Sequence, residues 1–382
     1  MSCKESNGDA HQNGKHHDVN RNQQWPFDDT KGALSGRKGL RFVHELPPSY
    51  HEPFILSGYR NPGNFSLRQC LVTAFSLHNE TINIWSHLIA FIAFAVYFYY
   101  KFQALGVGFT FGPTGYPLMC FAFGICLVFI SSAGAHLFCC LSEECRHICF
   151  YLDYAAISVF TLTAAQAFYF YSRPSGKTLF IFDSPHLYLG ISAFLSVVNV
   201  ALSCLSRHYL RDFRFLLRAG PNLIKILYDT WPFVARINHC TMATDCNAIA
   251  VTLFYRHWLC YGISGITYAA KIPERWMPGV FDFFGHSHHF LHIVTIFGNY
   301  YAFLAVSLDM TNRAELLSKL PVQPTVFTTF GMLLIVLLSG GIITWVFIYR
   351  FLQQDRGADE YVGGTQYTVI YRRKGNYEKK TS

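Results

Sequence analysis

Two histidines, His288 and His292, stand four residues apart where a polar turn runs into a long apolar stretch. If that stretch is helical, both imidazoles lie on one face of the helix, one turn apart, and can bind a single metal ion. This spacing is a weak signal by itself because the chain contains 17 histidines. Further ligands must therefore come from other parts of the sequence.

Three further residues with metal-site or catalytic chemistry lie in two other apolar stretches. His136 follows Ser132 by four residues in SSAGAH, and Asp153 lies in FYLDYAAIS. A carboxylate at membrane depth costs on the order of 2.5–3.5 kcal/mol, so Asp153 needs a partner there. In the membrane topology that the basic residues indicate, His136, Asp153, His288 and His292 lie at one depth. The sequence therefore predicts a metal site built from these four residues.

The types of ligand narrow the choice of metal. Imidazole and carboxylate groups without thiolate favour zinc and leave iron and copper open. Three histidine ligands keep a fourth position free for a water, which Asp153 would orient or deprotonate unless it binds the metal itself. Ser132 has two equal interpretations. Its hydroxyl could hydrogen-bond to a metal-binding side chain or to a substrate carbonyl, or Ser132 could simply be a small residue where helices pack.

Other histidines and cysteines near these stretches have simpler interpretations. His87 is typical of a hydrogen-bonded packing residue within a span. His289 points about 100° away from His288 on a helix, so His286 and His289 are interpreted as non-ligands. A rival metal site would use four cysteines whose spacing matches no Cys-x-x-Cys pattern and equally suits packing or acylation. These are Cys139, Cys140, Cys145 and Cys149.

The composition indicates a protein embedded in a membrane. Hydrophobic residues make up 51% of the 382 residues, charged residues 14%, and 36 residues are Phe, unlike an ordinary soluble surface. The net charge of +8 lies mostly in the two tails and short turns, which favours an anionic inner leaflet over nucleic acid as the partner. The 12 cysteines form no disulfide framework, although Cys240 and Cys246 suit a local bridge as well as two thiols.

Eight apolar stretches predict an all-α integral membrane bundle. The fifth is interrupted by Lys225, Asp229 and Arg236, so it must face protein or a water-filled cavity if it spans. A disordered cytoplasmic tail is predicted over residues 1–41, a pre-membrane segment over 42–81 and a basic cytoplasmic tail over 353–382. The predicted spans are about 82–100, 116–141, 148–171, 187–206, 219–237, 247–270, 288–310 and 326–352.

The positions of Lys and Arg favour a cytoplasmic N-terminus. With that orientation the inner turns carry Arg146 and the group Arg207, Arg211, Arg214 and Arg218, and both basic tails lie inside as well. Eight spans then place both ends of the chain in the cytoplasm. The glycosylation sequons at Asn64 and Asn79 would be silent.

From about residue 43 to residue 310, the sequence resembles the progestin and adipoQ receptor family. The matching motifs are FILSGYR, HNETINIWSH, SSAGAH, FYLDYAAIS, KIPERWMPG and FDFFGHSHHFLH, which are specific as a set. The eighth span is similar to that of the membrane progestin receptor branch. The chain departs from the pattern at His289, where many relatives have Gln, and over residues 238–246, where the family pattern does not align.

The resemblance implies a seven-helix zinc-binding core followed by a C-terminal eighth transmembrane helix. It implies that His136, His288 and His292 bind zinc near the cytoplasmic face and that Asp153 lies beside a metal-bound water. The implied fold is unrelated to that of G-protein-coupled receptors. Its Ser/His, Asp and His/His arrangement is similar to that of the alkaline ceramidases.

Two functions of different classes follow. The first is a plasma-membrane receptor for a progestin-type steroid or other lipid ligand, signalling through cytoplasmic proteins. This function rests on the resemblance. Aromatic residues of spans one, three and seven would line an apolar pocket for the ligand. The second is a zinc-dependent hydrolase of a lipid amide such as ceramide, with Asp153 and Ser132 as catalytic residues. Enzyme status and homo-oligomer formation are left open, and a purely structural zinc is a third interpretation.

Overall fold

The computed structural model describes residues 39–360, apart from residues 64, 107–111, 176–178, 209, 211–212 and 238–245. Within helices, the side chains of residues 208, 214–215 and 354–360 are also outside the description. The two predicted tails fall largely on residues 1–38 and 361–382, outside the described residues. Cys240 lies outside them too, whereas Cys246 is disulfide-bonded.

Helices form most of the described structure. A short antiparallel sheet pairs β1 (Leu40–Arg41) with β2 (Tyr59–Arg60). A π-helical turn (Phe327–Gly331) leads into the last helix. The α-helices are α1 (Leu67–Thr73), α2 (Thr81–Leu105), α3 (Tyr116–Phe138), α4 (Glu143–Ser172), α5 (Pro185–His208), α6 (Arg214–Ile237), α7 (Ala248–Ala270), α8 (Ser287–Asn312), α9 (Ala314–Lys319) and α10 (Met332–Glu360).

Among the described residues, six helical segments are long and apolar enough to cross a membrane. They confirm the predicted all-α integral membrane bundle. The other two predicted spans coincide with α6 and α7, which are 24 and 23 residues long, and their crossing of the membrane stays a prediction. The six segments are Thr81–Leu105, Pro113–Phe138, Glu143–Ser172, Pro185–Arg207, Ser287–Asn312 and Phe327–Gln353.

Three charged residues of α6 are buried against other helices. Lys225 and Asp229 form an ion pair between two almost inaccessible side chains. Ser192 of α5 donates its hydroxyl to Asp229 Oδ1 at 2.8 Å and accepts from Lys225 Nζ at 2.8 Å. Arg236 Nη2 lies 2.6 Å from Oδ2 of Asp309 on α8. These contacts explain how these three charged side chains can lie inside an apolar bundle.

Gly124 lets α3 and α4 pack closely. A Cβ atom added at this position would lie 2.1 Å from Thr163 Oγ1 and 3.0 Å from the Cα of Phe160. The first distance is a steric clash, so a larger residue here would push α3 and α4 apart. The two helices therefore stay in contact toward the end of α3. There the ring of His136 lies 5.6 Å from the ring of Phe150 on α4.

The pre-membrane segment packs on the end of the bundle where α3 ends and α8 begins. Asp282, in the turn between α7 and α8, accepts the backbone N–H groups of Leu56 at 3.0 Å and Ser57 at 2.7 Å, and the Ser57 hydroxyl at 2.6 Å. Burial raises the pKa of the Asp282 carboxyl, and these hydrogen bonds oppose that shift. The segment has a small apolar core of its own, made of Leu46, Tyr50, Ile55 and Tyr59.

Arg60, in β2, connects the same segment to the end of α3. Its Nη2 donates to the carbonyl oxygen of His136 at 2.5 Å, and its Nη1 donates to that of Leu137 at 2.8 Å. The last carbonyls of a helix have no partner within the helix, so a buried cation there satisfies them. The pre-membrane segment therefore supports both α3 and the approach to α8.

Lys225→Met is expected to destabilise the protein, because Asp229 would remain buried with the Ser192 hydroxyl as its one remaining partner among the described residues. Breaking a buried pair in this way costs about 3–5 kcal/mol, and adding Asp229→Leu should recover most of the loss. Thermal unfolding of the purified protein in detergent measures both effects. Lys319→Met is the matched control, since Lys319 pairs with Glu315 at the same four-residue spacing on exposed side chains; equal losses in both single variants would contradict the prediction.

Candidate metal centre

The structure brings His136, His288 and His292 into one group. One ring nitrogen of each lies within 4.8 Å of the other two, and this group could hold a metal ion. The Nε2 atoms of His136 and His288 are 3.1 Å apart. His136 and His292 are buried and His288 is partly exposed. One histidine thus comes from the last turn of α3 and two come from the first turns of α8.

The position of the α8 pair is fixed by the start of that helix. Glu274, in the turn after α7, accepts the backbone N–H of Ser287 at 2.7 Å and also the Ser287 hydroxyl. An acidic group at the first turn accepts a hydrogen bond from a backbone N–H that lacks a helical partner. Its negative charge also interacts favourably with the positive end of the helix dipole. His288 and His292 then follow on one face, as their spacing predicts.

Glu80, directly before α2, holds the ring of His136. Its Oε2 lies 2.7 Å from His136 Nδ1 and also accepts from Asn83 Nδ2 at 2.6 Å. A neutral His136 that donates from Nδ1 to this carboxylate keeps the Nε2 lone pair, on the side of His288, available for a metal. Sequence reasoning missed Glu80 and Asn83. The available signal was an acidic residue at the edge of an apolar span, which needs a polar partner.

His292 is positioned by two residues of α2. Its Nδ1 lies 3.3 Å from the hydroxyl oxygen of Ser86. The ring of His87 stacks on the His292 ring, with centroids 3.8 Å apart. His87 therefore packs against a histidine of the group, as predicted, but the hydrogen bond also predicted for it is not found among the described residues, where neither ring nitrogen has a partner.

Asp153 lies near the histidine group but is not part of it. It is buried on α4, and Asp153 Oδ1 has no hydrogen-bond partner among the described residues. Among the described residues, His136 and Arg207 act on it electrostatically. Ser132 is buried on α3, one turn before His136. Three of the four predicted metal-site residues are thus in contact, and the fourth lies nearby with an unused oxygen.

Neither the neighbouring histidines nor the cysteines join this group in the described part of the chain. His289 Nδ1 accepts the backbone N–H of Gly285 at 3.0 Å, and its ring lies 3.5 Å from that of His286. The cysteines of the rival site meet only in pairs, with 3.8 Å between the sulphurs of Cys145 and Cys149. Cys140 lies 3.4 Å from Cys70, again between sulphurs.

Comparison with known proteins places this bundle in a family. Residues 75–303, more than half of the chain, match the sequence profile of the family described as "Haemolysin-III related". The chain belongs to the haemolysin-III-related family. Together with the apolar helices, this match and the relatives described next establish a multi-pass membrane protein.

Three curated relatives of the family are similar to most of this chain. Membrane progestin receptor gamma-B of Danio rerio is 32% identical over 322 residues, which cover 79% of this chain and 91% of the relative. Membrane progestin receptor delta is 35% identical in Mus musculus and 34% identical in Homo sapiens, each match covering 71% of this chain and 79% of the relative. The prediction of the progestin and adipoQ receptor family, in its membrane progestin receptor branch, is confirmed.

Glu80→Gln is expected to weaken metal binding about 10- to 100-fold, because the amide has no charge to hold His136 in the metal-binding tautomer. Metal retained by the purified protein across a graded series of chelator concentrations measures this change. Glu315→Gln, at an exposed ion pair on α9, is the control. Metal retention by Glu80→Gln that follows the unchanged protein throughout the series would show that Glu80 has no such role.

Proposed function

We propose that the protein is a membrane receptor for a progestin-type steroid, with a zinc ion bound by His136, His288 and His292. The main observation in support is a largely buried group of three histidines in a chain whose relatives are named membrane progestin receptors. The class of ligand is taken from those names. An intramembrane site suits such a ligand because a steroid presents mostly apolar surface.

The side chains present fit zinc. Three imidazole nitrogens close together, with no cysteine sulphur in the group, are a donor set that zinc prefers. Asp153 Oδ1 is buried and has no hydrogen-bond partner among the described residues. This oxygen, near the histidines, could accept a hydrogen bond from a metal-bound water or bind the metal. Bound zinc supplies a positive charge that polarises a carbonyl group or activates water. Glu80 would keep His136 in the orientation that such binding requires.

The steroid site in this proposal lies at the far ends of α4 and α8. Aromatic residues of spans one and seven that were predicted to line a pocket pack on each other instead; the rings of Phe98 and Phe303, for example, have centroids 4.5 Å apart. A cavity of about 300 Å³ is present near the end of α8, at the lower end of the usual size for ligand sites. Its lining includes Leu105, Phe170, Met310, Leu317 and Val322, with Arg173 and Gln323 as polar residues.

Leu317→Trp is expected to reduce progesterone affinity at least 10-fold, because the indole would fill part of this cavity. Leu317 is only partly buried on the short helix α9, so the fold should tolerate the change. Saturation binding of labelled progesterone is the measurement, and metal content should not change. Leu338→Trp, on an exposed position of α10, is the control; unchanged affinity in Leu317→Trp would exclude the cavity as the steroid site.

The proposed orientation places the N-terminus and the histidine end of the bundle in the cytoplasm, and the proposed location is the plasma membrane. The distribution of Lys and Arg supports the orientation. Signalling proteins would then contact the turns at the histidine end. An epitope at the N-terminus that reacts with antibody in intact, unpermeabilised cells would contradict this orientation.

A second candidate function is a zinc-dependent lipid amide hydrolase. The observation that favours it is Asp153 Oδ1, which lies near the histidine group and has no hydrogen-bond partner among the described residues. A buried carboxylate at that position can accept a proton from a reacting water and return it to the leaving amine. Ser132, one turn before His136, would contact the amide of the substrate. A lipid such as ceramide would reach the site laterally from the membrane.

The two functions separate in one set of measurements on the purified protein: zinc content, labelled-progesterone binding and ceramide turnover. In a receptor, Asp153→Asn should bind progesterone nearly as well as the unchanged protein. In a hydrolase it should keep zinc and lose turnover about 10²- to 10⁴-fold, because proton transfer contributes that much. His288→Ala with His292→Ala should abolish zinc binding in either case.

The control for zinc content is His186→Ala, which changes an exposed histidine of α5. An intact protein without zinc would refute the metal site, and an intact protein that holds zinc but binds no steroid would refute the receptor. Ceramide turnover that depends on zinc would establish the hydrolase.

A further inference from the structure

Two arginines, Arg207 and Arg218, meet at Tyr154 near the end of the bundle where α4 begins. Arg207, in the last turn of α5, places Nη1 3.4 Å from the Tyr154 hydroxyl. Arg218, in the second turn of α6, places its guanidinium carbon 5.2 Å from the centre of the Tyr154 ring. Two cations from different helices are thus held against one residue of α4.

Both side chains are held by described residues in contacts that leave three of their four outer nitrogens unused. Arg207 Nε donates to His147 Nδ1 at 3.3 Å, and its guanidinium lies 4.3 Å from the Phe150 ring centre. Arg218 Nε donates to the Ser206 hydroxyl at 2.8 Å. Arg207 Nη2 and both Nη atoms of Arg218 have no hydrogen bond to any residue that the structure describes. Both side chains are partly exposed, so these N–H groups can reach a ligand.

Three arginine side chains lie close together here. Arg146 also lies against Phe150, with its guanidinium carbon 5.1 Å from the ring centre. The positive charges of Arg146 and Arg218 both repel that of Arg207. Arg146 has a partner in Glu52, at 3.2 Å. Within the described part of the chain, neither Arg207 nor Arg218 has a carboxylate within ion-pair distance. Asp153 acts on Arg207 only from further away.

Guanidinium groups in such a place recruit an anion. A cation removed from bulk water without a counter-charge is costly, and preorganised N–H pairs of arginine match the oxygens of phosphate. Arg207 is the last residue of the apolar segment Pro185–Arg207, so it lies at the depth of lipid headgroups if that segment spans the membrane. Basic pockets between transmembrane helices bind phosphorylated headgroups for these reasons.

We propose that Arg207 and Arg218 form a binding site for the phosphate of an anionic lipid headgroup, with a phosphomonoester as the preferred group. A phosphomonoester offers three oxygens and up to two negative charges, which suits two guanidinium forks better than the single charge of a phosphodiester. Tyr154 contacts both arginines and so holds them on the same side of α4. The site is separate from the histidine group and requires neither zinc nor steroid.

The test uses the full-length protein in nanodiscs of phosphatidylcholine that contain a few per cent of phosphatidylinositol 4,5-bisphosphate, phosphatidylserine or no anionic lipid. Lipid that co-purifies after exchange into detergent is quantified by mass spectrometry. The variants are Arg207→Gln, Arg218→Gln and the two together. Arg256→Gln is the matched control, because Arg256 is an exposed arginine of α7 that also lies against an aromatic ring, Tyr301 at 5.8 Å.

The unchanged protein should retain the bisphosphate lipid in preference to phosphatidylserine. Each single variant should retain it about 5-fold less and the double variant about 25-fold less, with Arg256→Gln unchanged. Arg207→Lys with Arg218→Lys keeps the charge, loses the forked geometry and should show an intermediate loss. It also provides the comparison if a Gln variant unfolds.

Three outcomes would overturn the proposal. The first is equal lipid retention by the unchanged protein and the folded double variant. The second is an equal loss in Arg256→Gln, which would mean that total charge rather than this site binds the lipid. The third is full displacement of the lipid by soluble inositol trisphosphate at the same concentration, which would make the site one for a free phosphate ligand.

Discussion

The hydrogen bond between Glu80 and His136 joins parts of the chain that are distant in sequence. It connects the start of α2 to the end of α3, and His136 in turn lies 3.1 Å from His288 at the start of α8. A buried carboxylate is costly unless it is hydrogen-bonded, and here the imidazole and Asn83 supply the partners. A cation bound by the histidines would strengthen the arrangement, because opposite charges attract strongly where water is excluded.

The same requirement for internal partners shapes the other side of the bundle. Lys225, Asp229 and Ser192 satisfy one another between α5 and α6. Arg236 and Asp309 do so between α6 and α8. These pairs and the histidine group lie in different parts of the fold, so the bundle contains separate polar centres linked by apolar helices.

The sequence predicts the long helices and the histidines of the site better than it predicts the residues that hold those histidines in place. Apolar runs of span length locate the long helices, and the four-residue spacing of His288 and His292 predicts a shared helix face. The partner of His136 could not be found in this way, because Glu80 lies 56 residues away and their contact depends on how α2 packs on α3. Arg60 and Asp282 were missed for the same reason. The aromatic residues of spans one and seven were expected to line a pocket, but shape complementarity, which composition does not encode, lets them fill the space themselves.

The contacts of Asp282 and Arg60 bear on where the working unit of this protein begins. Asp282 ties the turn before α8 to Leu56 and Ser57, and Arg60 closes the end of α3. Two sides of the histidine group are therefore anchored to residues that precede the first membrane helix. A chimaera or minimal fragment that started at α2 would keep every proposed metal ligand and lose the scaffold that sets their positions. A transferable module accordingly has to include residues 56–60, ahead of the first membrane helix.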